Sequence, residues 1–507
     1  MTQNHPGPLD GTHVRVAVIG AGFAGLGTAI QLTRSNEYSF LVLERADDIG
    51  GTWRDNVYPG VACDIPSHLY SFSFAPKHDW RRHYAQGSEI QQYLRDCSLE
   101  PGVAERIRLN TSLHTAHWDA VQGRWELATN RGKLTASVLV LGTGRFGKSD
   151  IPEIPGLASF PGPICHSSRW NPSVRPGMRV AVVGSGASAI QIVPALVRQG
   201  SQVLNIQRSA PWIIPKGDHL YSEESRQRFG DDDNARAAHR EQIFADADAG
   251  FKARVLGSVE QTALQQRALG HLRAQVRDPE MARKLTPSYE IGCKRVLLSD
   301  DFYLAVASGR ATVHSGTIAQ IDGRHLTLTE GTRTAADALV FATGFEASRP
   351  AIAGQVYGRN GLRLDEHWAN GMTSYGSTAV SGFPNMFILG GPNGALGHNS
   401  ALAVMEVQIQ HLRSVLDFLR DGWKSVEVQA SAEADFTRMI DQRAAQTVWL
   451  SPGCTSWYRH ERTGRLSLVW PGTAQEYAQK YSHFDPTKFH VEDAPPGEPS
   501  LQLLRVL

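Results

Sequence analysis

The chain has 507 residues, which is long enough for two or three domains that each bury a hydrophobic core. Its 51 Lys and Arg residues balance 50 Asp and Glu residues, so the formal net charge is +1. That balance argues against a nucleic-acid partner, which would need a strong basic excess. The sequence carries no signal for an oligomeric state.

Five cysteines are scattered along the chain, namely Cys63, Cys97, Cys165, Cys293 and Cys454. They form no C-x-x-C motif, so neither a redox dithiol nor a zinc site is predicted, and no other metal is indicated. The N-terminal residues lack the cationic head and apolar stretch of a secretory signal, and the apolar runs are too short to span a bilayer. We therefore expect a cytoplasmic protein with reduced, buried thiols and no membrane segment.

The first strand-like run, residues 14–19, leads into the glycine motif Gly20-x-Gly22-x-x-Gly25 and a helix-forming segment. Aliphatic and β-branched runs closed by glycine are typical of parallel strands that open a βα unit. The glycines allow a tight turn, close approach of the backbone to a pyrophosphate, and close packing of helix on strand. The helix N-terminus then offers free N–H groups and partial positive charge to the phosphates.

An acidic residue follows the second predicted strand of this unit, residues 40–43. Glu44 lies 19 residues beyond the glycine motif, where a carboxylate can accept hydrogen bonds from both ribose hydroxyls and would repel a 2′-phosphate. The segment Gly51-Thr52-Trp53 comes shortly afterwards and suits a backbone that approaches the phosphates and ring of a flavin. We therefore predict FAD in the first unit.

A second glycine motif follows the strand-like run 179–183 and again opens a helix; its members are Gly184, Gly186 and Ser188. The next predicted strand, residues 202–206, is followed by Arg208. A guanidinium at that corner can bind a 2′-phosphate through two hydrogen bonds, so we predict NADPH in the second unit. A surface arginine without a ligand is the alternative interpretation of Arg208.

The two predicted nucleotides indicate redox chemistry, because a protein that holds FAD and NADPH usually transfers hydride between them. Without a C-x-x-C motif there is no dithiol to receive the electrons, and dioxygen becomes the expected acceptor. The predicted fold class is α/β, with two Rossmann-like dinucleotide-binding domains and a helical insertion at about residues 215–290, which are rich in helix-forming residues.

The predicted domains are interleaved. They are residues 1–148, the first part of the FAD-binding domain; residues 149–335, the NADP-binding domain with its insertion; and residues 336–507, the second part of the FAD-binding domain with a C-terminal segment. A third strand-like run, residues 338–342, falls in the last of these. The stretch after Pro471 shows little periodicity and is predicted to be a surface tail.

One further motif lies just before the second glycine motif. Phe160-x-Gly162-x-x-x-His166-x-x-x-Trp170 resembles the fingerprint of the type I Baeyer–Villiger monooxygenases, a branch of the class B flavoprotein monooxygenases. In the related flavin-dependent N- and S-oxygenases the motif commonly ends in Tyr or Phe, so Trp170 favours the ketone-oxidising branch. Asn171 departs from the Pro or Asp usual at that position. Segments 50–74, 207–212, 292–303, 339–345 and 382–400 also resemble this family, so the resemblance covers nearly the whole chain.

The resemblance implies an enzyme that inserts one oxygen atom of dioxygen next to a ketone carbonyl. A flavin C4a-peroxide would carry the oxygen, and an ester or lactone would be the product. Arg295 would be the catalytic arginine, Asp64 would orient it, and Lys294 would join Arg208 on the 2′-phosphate. From the residues alone, a Lys-Arg pair is also compatible with a solvated patch, although apolar residues follow it.

Two further residues receive roles from the resemblance. Trp457 is similar to the family's mobile-loop tryptophan that contacts the nicotinamide cofactor, and a core aromatic is the alternative. His166 would organise domain movement rather than act as an acid–base catalyst. The competing functions are a flavin-dependent N- or S-oxygenase and, in another class, a non-catalytic dinucleotide sensor. Both complete glycine motifs argue against the sensor.

Overall fold

The computed structural model describes residues 9–493. In this range the strands are β1 (Thr12–Ile19), β2 (Phe40–Leu43), β3 (Ile107–Arg108), β4 (Leu113–Asp119), β5 (Arg124–Thr129), β6 (Gly132–Leu141), β7 (Ile164–His166), β8 (Arg179–Val183), β9 (Gln202–Gln207), β10 (Ile213–Ile214), β11 (Leu297–Leu298), β12 (Ala311–Ser315), β13 (Ile318–Asp322), β14 (His325–Leu328), β15 (Arg333–Ala335), β16 (Ala338–Phe341), β17 (Val356–Tyr357), β18 (Met386–Ile388), β19 (Trp423–Val428) and β20 (Phe489–Asp493). The α-helices are α1 (Phe23–Arg34), α2 (Thr52–Asp55), α3 (Gly87–Ser98), α4 (Ala189–Arg198), α5 (Glu223–Asp231), α6 (Asp233–Ala249), α7 (Val259–Gln275), α8 (Pro279–Leu285), α9 (Phe302–Ala307), α10 (Leu364–His367), α11 (Ala401–Arg420), α12 (Ala430–Ala444) and α13 (Ala474–Tyr481).

The first large sheet has the order β17-β4-β5-β6-β1-β2-β3, and β18 pairs with the C-terminal half of β6. Its centre is parallel, with β1 between β2 and β6. Most of β1 is buried, as expected for a central strand that is covered on both faces. Helix α1 packs between this sheet and α11. The carboxyl ends of β1 and β6 therefore meet where α1 begins, and this is where ligands bind in such sheets.

The second large sheet is parallel throughout, in the order β12-β9-β8-β16-β7. Helix α4 follows β8, so the second glycine motif also lies at a carboxyl edge. Helices α5 to α8 form the insertion predicted for about 215–290. The predicted fold class, two Rossmann-like units with a helical insertion, is confirmed.

The chain enters the second unit through residues 142–163 and leaves it through residues 342–355. These two connections pair with each other as a short antiparallel ribbon. The amide of Asp150 donates to Gly344 O at 3.1 Å, and the amide of Glu346 donates to Lys148 O at 3.1 Å. We call these segments, 148–150 and 344–346, the crossing ribbon.

The crossing ribbon bears on the predicted domain boundaries. The first boundary, 148/149, lies within it. The second boundary, 335/336, precedes β16, and β16 belongs to the second sheet between β8 and β7. The sequence analysis assigned β16 to the second part of the first unit, whereas in the structure β16 is the last strand of the second unit. The chain returns to the first sheet only with β17 and β18.

The stretch after Pro471 is folded as far as residue 493, so the expectation of a surface tail is wrong for this part. Helix α13 places Tyr477 in the core with no exposed surface, and β20 pairs with β19. Residues 494–507 lie outside the described residues. None of the helices between residues 9 and 493 is both long and apolar enough to cross a membrane.

The cysteines also depart from expectation. Cys63, Cys97 and Cys165 are buried and free, as predicted. Cys293 and Cys454 instead form a disulfide, with their Cα atoms 5.7 Å apart. The prediction of reduced thiols is therefore wrong for this pair, because their separation of 161 residues gives no local signal of proximity.

The insertion packs on the first unit through a group of aromatic and histidine rings. The His68 ring lies 4.7 Å from Phe229, 5.2 Å from His239 and 5.3 Å from Tyr221, between ring centroids. Burial, and then the positive charge of His239 and neighbouring arginines, lowers the pKa of His68 to about 3. The ring is therefore neutral in the folded protein at neutral pH.

This histidine should make folding stability depend on pH. The unfolded chain takes up a proton on His68 below about pH 6.5, whereas the folded protein does so only near pH 3, so stability is lost as the pH falls between these values. The slope is about 1.4 kcal/mol per pH unit for this group. We expect His68→Phe to remove that part of the slope, measured by denaturant unfolding from pH 7 to 4. His117→Phe, at an exposed site on β4, is the control and should keep the wild-type slope.

Candidate active site

The first glycine motif forms a close-packed turn between β1 and α1. A Cβ added to Gly25 would lie 1.8 Å from Gly20 O, so only glycine fits there. Gly22 faces the backbone of Gly51, since a Cβ on Gly22 would lie 3.8 Å from Gly51 Cα. No side chain caps the N-terminus of α1. Its free N–H groups and this glycine-lined gap fit a pyrophosphate.

Glu44 is fixed at the end of β2 and is only 5% exposed. Its Oε2 accepts a hydrogen bond from the Ala21 amide at 2.9 Å, and its Oε1 accepts one from Arg54 Nη1 at 3.0 Å. A carboxylate held beside the glycine motif retains lone pairs for ribose hydroxyls. Nearby, Thr52 begins α2, and Trp53 is buried with its Nε1 donating to Tyr70 at 3.3 Å. The first site therefore fits FAD.

The second glycine motif also forms a turn between a strand and a helix, but less protein surrounds its second glycine. A Cβ on Gly184 would lie 2.2 Å from Ala342 O, whereas one on Gly186 would meet nothing within 4 Å. Ser188 precedes α4 and makes no cap hydrogen bond to it. The helix N-terminus is thus open to a phosphate ligand, as a second dinucleotide requires.

Two cations lie at the corner after β9. Lys294 Nζ donates to Ser209 Oγ at 2.8 Å and lies 4.6 Å from the ring centroid of Tyr289. Burial, and then repulsion by Arg208, lowers the pKa of Lys294. Within residues 9–493 neither cation forms an ion pair with a carboxylate. Like charges held together without a counterion favour an anion, so this corner fits the 2′-phosphate of NADPH.

Asp64 and Arg295, 231 residues apart in sequence, form an ion pair. Arg295 Nε donates to Asp64 Oδ2 at 2.6 Å, and the side chains are 29% and 24% exposed, so the pair is partly accessible. Burial alone would raise the pKa of Asp64, but the positive charges of Arg295 and Lys216 lower it below its usual range. The carboxylate in turn raises the pKa of Arg295. Both groups are therefore charged at any physiological pH.

The segment that carries Asp64 joins the two units. The amide of Ala62 donates to Gln191 Oε1 of α4, in the other unit, at 2.8 Å. Gly60 lies so close to α4 that a Cβ there would be 2.9 Å from Gln191 O. Tyr58 is buried beside Ser188. The catalytic candidates are consequently positioned by contacts that span both nucleotide sites.

Two residues beside Arg295 were missed by the sequence analysis. The buried Tyr458 hydroxyl lies next to the Arg295 guanidinium, and burial raises the pKa of Tyr458, so it remains a phenol. Arg254 is 7% exposed, and its Nη2 donates to Gly397 O at 3.1 Å. Burial lowers the pKa of Arg254 to about 10. Tyr458 is adjacent to Trp457 in sequence, whereas nothing in the helical insertion marked Arg254.

The fingerprint residues lie along the edge strand β7 and its flanks. Phe160 is buried, and a Cβ on Gly162 would lie 2.1 Å from Asp337 O, so glycine is required. His166 is 2% exposed and its Nδ1 is 2.9 Å from Ser168 Oγ. Trp170 packs on the hydrophobic cluster under α4.

Ring contacts connect His166 with Trp457. The centroid distances are 5.2 Å from His166 to Phe345, 5.2 Å from Phe345 to Phe146, and 6.0 Å from Phe146 to Trp457. Trp457 is 42% exposed, so it is not the core aromatic that was the alternative. Among the hydrogen bonds and ring contacts of the described residues, none joins His166 to Asp64 or Arg295. His166 therefore lies at the crossing ribbon rather than at the ion pair.

The fold and the site together define a flavoprotein with two dinucleotide sites and a cationic centre between them. Comparison with known proteins agrees. A family model described as flavin-binding monooxygenase-like matches residues 13–225. A Baeyer-Villiger monooxygenase from Streptomyces coelicolor is 38% identical over 492 residues, covering 96% of this chain and 94% of that protein. One from Pseudomonas aeruginosa is 37% identical over 497 residues, covering 97% and 94%.

Solved structures share the fold. An oxidized steroid monooxygenase bound to NADP matches with a TM-score of 0.83 at 27% identity, covering 95% of this chain and 100% of that one. A cyclohexanone monooxygenase from Rhodococcus sp. Phi1 bound to NADP⁺ matches with a TM-score of 0.85 at 24% identity and the same coverage. The chain therefore belongs to the Baeyer–Villiger family of flavin-dependent monooxygenases. The expected reaction class and the expected cofactors, FAD and NADPH, are confirmed.

Arg254 allows a test of whether a buried, unpaired cation in this site lowers the free energy of unfolding. Within the described part of the chain no carboxylate pairs with it, so Arg254→Met should leave the free energy of unfolding unchanged or raise it by about 1 kcal/mol. Arg15→Met is the matched control, because it removes the cation that pairs with the buried Glu37 at 2.6 Å and leaves Glu37 only Arg420, at 3.6 Å. It should lose about 3–5 kcal/mol in the same unfolding measurement. Equal losses for both variants would mean that Arg254 has a counterion.

Proposed function

We propose that this enzyme oxygenates ketones to esters or lactones with Arg295 as its catalytic residue and Asp64 as the residue that positions it. The observation that carries the proposal is the ion pair between them, at the junction of the two nucleotide units. Negative charge develops on oxygen atoms during the insertion. A guanidinium that is charged at any physiological pH and held in one orientation stabilises such charge without reorganisation.

The nucleotides are divided between the two glycine motifs. When bound, FAD would supply the redox chemistry between NADPH and dioxygen. The cradle of Gly20, Gly22 and Gly25 holds FAD together with Glu44. Gly184, Gly186 and Ser188 hold NADPH, with Arg208 and Lys294 on its 2′-phosphate. Trp457, exposed beside the crossing ribbon, contacts the nicotinamide nucleotide.

Tyr458 and Arg254 assist the catalytic arginine through charge and hydrogen bonding. Asp64 neutralises Arg295, so the pair contributes little net charge. Arg254 supplies the net positive charge of the site, and the Tyr458 phenol offers a donor beside Arg295.

The fingerprint serves the movement between the units. His166, at the end of β7, contacts Phe345 of the crossing ribbon. Phe345 contacts Phe146, which lies just before the ribbon, and Phe146 contacts Trp457. Burial lowers the pKa of His166, which suits a packing and positioning role more than proton transfer at neutral pH. A cytoplasmic location remains part of this proposal, since NADPH is supplied inside cells.

The catalytic assignment is tested with Arg295→Ala. We expect the variant to keep bound FAD and to oxidise NADPH, but to form ester at least about 100-fold more slowly than wild type. NADPH consumption, ester and hydrogen peroxide would be measured together over a panel of small cyclic, linear and aryl ketones. Arg179→Ala, at a surface ion pair with Asp337, is the control and should match wild type.

Other outcomes would redirect the proposal. Ester formation by Arg295→Ala at the wild-type rate would remove Arg295 from catalysis. If wild type oxidised amines or sulfides but no ketone, a flavin-dependent N- or S-oxygenase would replace the ketone oxygenase.

Nucleotide selection is tested at the basic corner. Arg208→Ala and Lys294→Ala should each raise the KM for NADPH about 10- to 100-fold, because a charge-assisted hydrogen bond contributes about 1.5–3 kcal/mol. The KM for NADH, which lacks the 2′-phosphate, should change little. Steady-state kinetics with both nucleotides decides the matter, and an equal rise for both would contradict a phosphate-specific role.

A further inference from the structure

The disulfide joins two segments that carry residues of the proposed site. Cys293 directly precedes Lys294 and Arg295, and Cys454 lies three residues before Trp457. The bond therefore connects the segment that carries two proposed cationic residues with the segment that carries the proposed nicotinamide contact. None of the assigned roles uses these sulfur atoms.

The segment around Trp457 has few other attachments. We call residues 452–457 the Trp457 segment. Within the described residues its hydrogen bonds are local. The amide of Cys454 donates to Ser451 O at 3.1 Å, and Arg459 Nη1 donates to Cys454 O at 2.8 Å. Ser456 accepts from the amides of Tyr458 and Arg459, each at 3.1 Å. Apart from them, the disulfide and the ring contact of Trp457 with Phe146 join the segment to distant parts of the chain.

The following hairpin is held differently. Arg462 Nη2 donates to Ala369 O at 2.6 Å, and the amide of Ser467 donates to Tyr458 O at 3.0 Å. Loss of the disulfide would therefore release the Trp457 segment while leaving the hairpin after it anchored.

Exposed residues flank one end of the disulfide. Cys293 and Cys454 have 0% and 3% of their surface exposed, but Pro452, Gly453 and Thr455 around Cys454 are exposed. Opening of this short surface segment brings the bond into contact with solvent without unfolding either sheet. A thiol reagent can then reach it.

We propose that Cys293 and Cys454 are a redox modification site that tethers the Trp457 segment to the catalytic segment. A dithiol reductant opens it: one thiolate attacks a sulfur, the S–S bond breaks, and a second thiolate releases the protein thiol. Two electrons and two protons pass to the protein, which gains two thiols, and the reductant becomes a cyclic disulfide. A disulfide oxidant such as oxidised glutathione closes the bond by the reverse exchange.

The Cys293–Cys454 disulfide controls how fast the nicotinamide nucleotide is released. This inference rests on the proposed role of Trp457. In the disulfide form the Trp457 segment is held over the second nucleotide site, and NADP⁺ leaves slowly. In the dithiol form the segment opens more often, so NADP⁺ dissociates several-fold faster and binds several-fold more weakly. In a reducing cytoplasm the pair would be a dithiol. Its oxidation to the disulfide would slow NADP⁺ release and therefore the enzyme's turnover of NADPH.

The bond itself is tested first on the FAD-loaded enzyme. Thiols are counted after denaturation of samples equilibrated with oxidised glutathione or with dithiothreitol. We expect three thiols in the first sample and five in the second, from five cysteines of which two are bridged. Cys97→Ser, at a buried free thiol in α3, should lower both counts by one. Five thiols in both wild-type samples would overturn the proposal.

The tether is tested by hydrogen exchange. Peptides covering 451–459 should exchange faster in the reduced enzyme, while peptides from α11 should not change. Cys454→Ser should show the fast exchange with or without dithiothreitol. Identical exchange of 451–459 in the two redox states would show that the bond does not hold the segment, and the proposal would fall.

The effect on the nucleotide is tested by calorimetry and stopped-flow dissociation of NADP⁺ from both redox forms, with Trp457→Ala as a second variant. Equal NADP⁺ affinity and dissociation rate in both wild-type forms, with Trp457→Ala weakening binding, would overturn the control of release. If Trp457→Ala binds NADP⁺ like wild type, the proposed role of Trp457 fails instead, and thiol counts and hydrogen exchange still decide the tether.

Discussion

The ion pair between Asp64 and Arg295 connects the two halves of the molecule at the point where their ligands must meet. Asp64 belongs to a segment of the first unit that packs on α4 of the second, and Arg295 follows the helical insertion of the second. Taking two charges from water is favourable only when their geometry is good and their remaining groups are bonded. The packing of residues 58–64 against α4 supplies that geometry. If the units separated, the pair would break, so the charge balance of the site depends on how the two units pack together.

The electrostatic potential of the proposed site depends on which of its cations have a carboxylate partner. Arg295 has a carboxylate partner, whereas Arg254, Arg208 and Lys294 have none within residues 9–493. Arg254 is buried, Lys294 is half-buried and Arg208 is exposed. Cations that lack a counterion favour a ligand that brings negative charge, most strongly where they are removed from water. Two such cations lie at the predicted 2′-phosphate corner and one beside Arg295. The apoenzyme therefore carries stored positive potential at the two places where the ligands bring or develop negative charge.

Local constraints made much of this architecture predictable. The glycine motifs at Gly20 and Gly184, and the residues after the next strands, Glu44 and Arg208, follow from the geometry of a single βα unit. The helix at Ala474–Tyr481 was missed although Thr473 and Glu476 mark its start: the Thr473 side chain accepts a hydrogen bond from the Glu476 amide. That signal was present in the sequence and was outweighed by the nearby proline.

Long-range contacts were predictable only through the family resemblance or not at all. The pairing of Asp64 with Arg295 spans 231 residues and came from the resemblance. Arg254 and the Cys293–Cys454 bond had no comparable guide, because neither residue type nor spacing indicates which distant segments meet. The placement of β16 in the second sheet is of the same kind: its glycine-closed pattern predicted a strand but not the neighbours of that strand.

The crossing ribbon has a consequence for how such an enzyme can be rebuilt. The second unit begins with β7 and ends with β16, and the chain enters and leaves it through the two paired strands of the crossing ribbon. The two chain ends of the unit therefore emerge side by side, as in a domain inserted into one loop of a host. Two cuts, within 142–163 and 342–355, would excise it whole. A nicotinamide module from a relative could be exchanged at these two points, with the first sheet keeping its own connectivity.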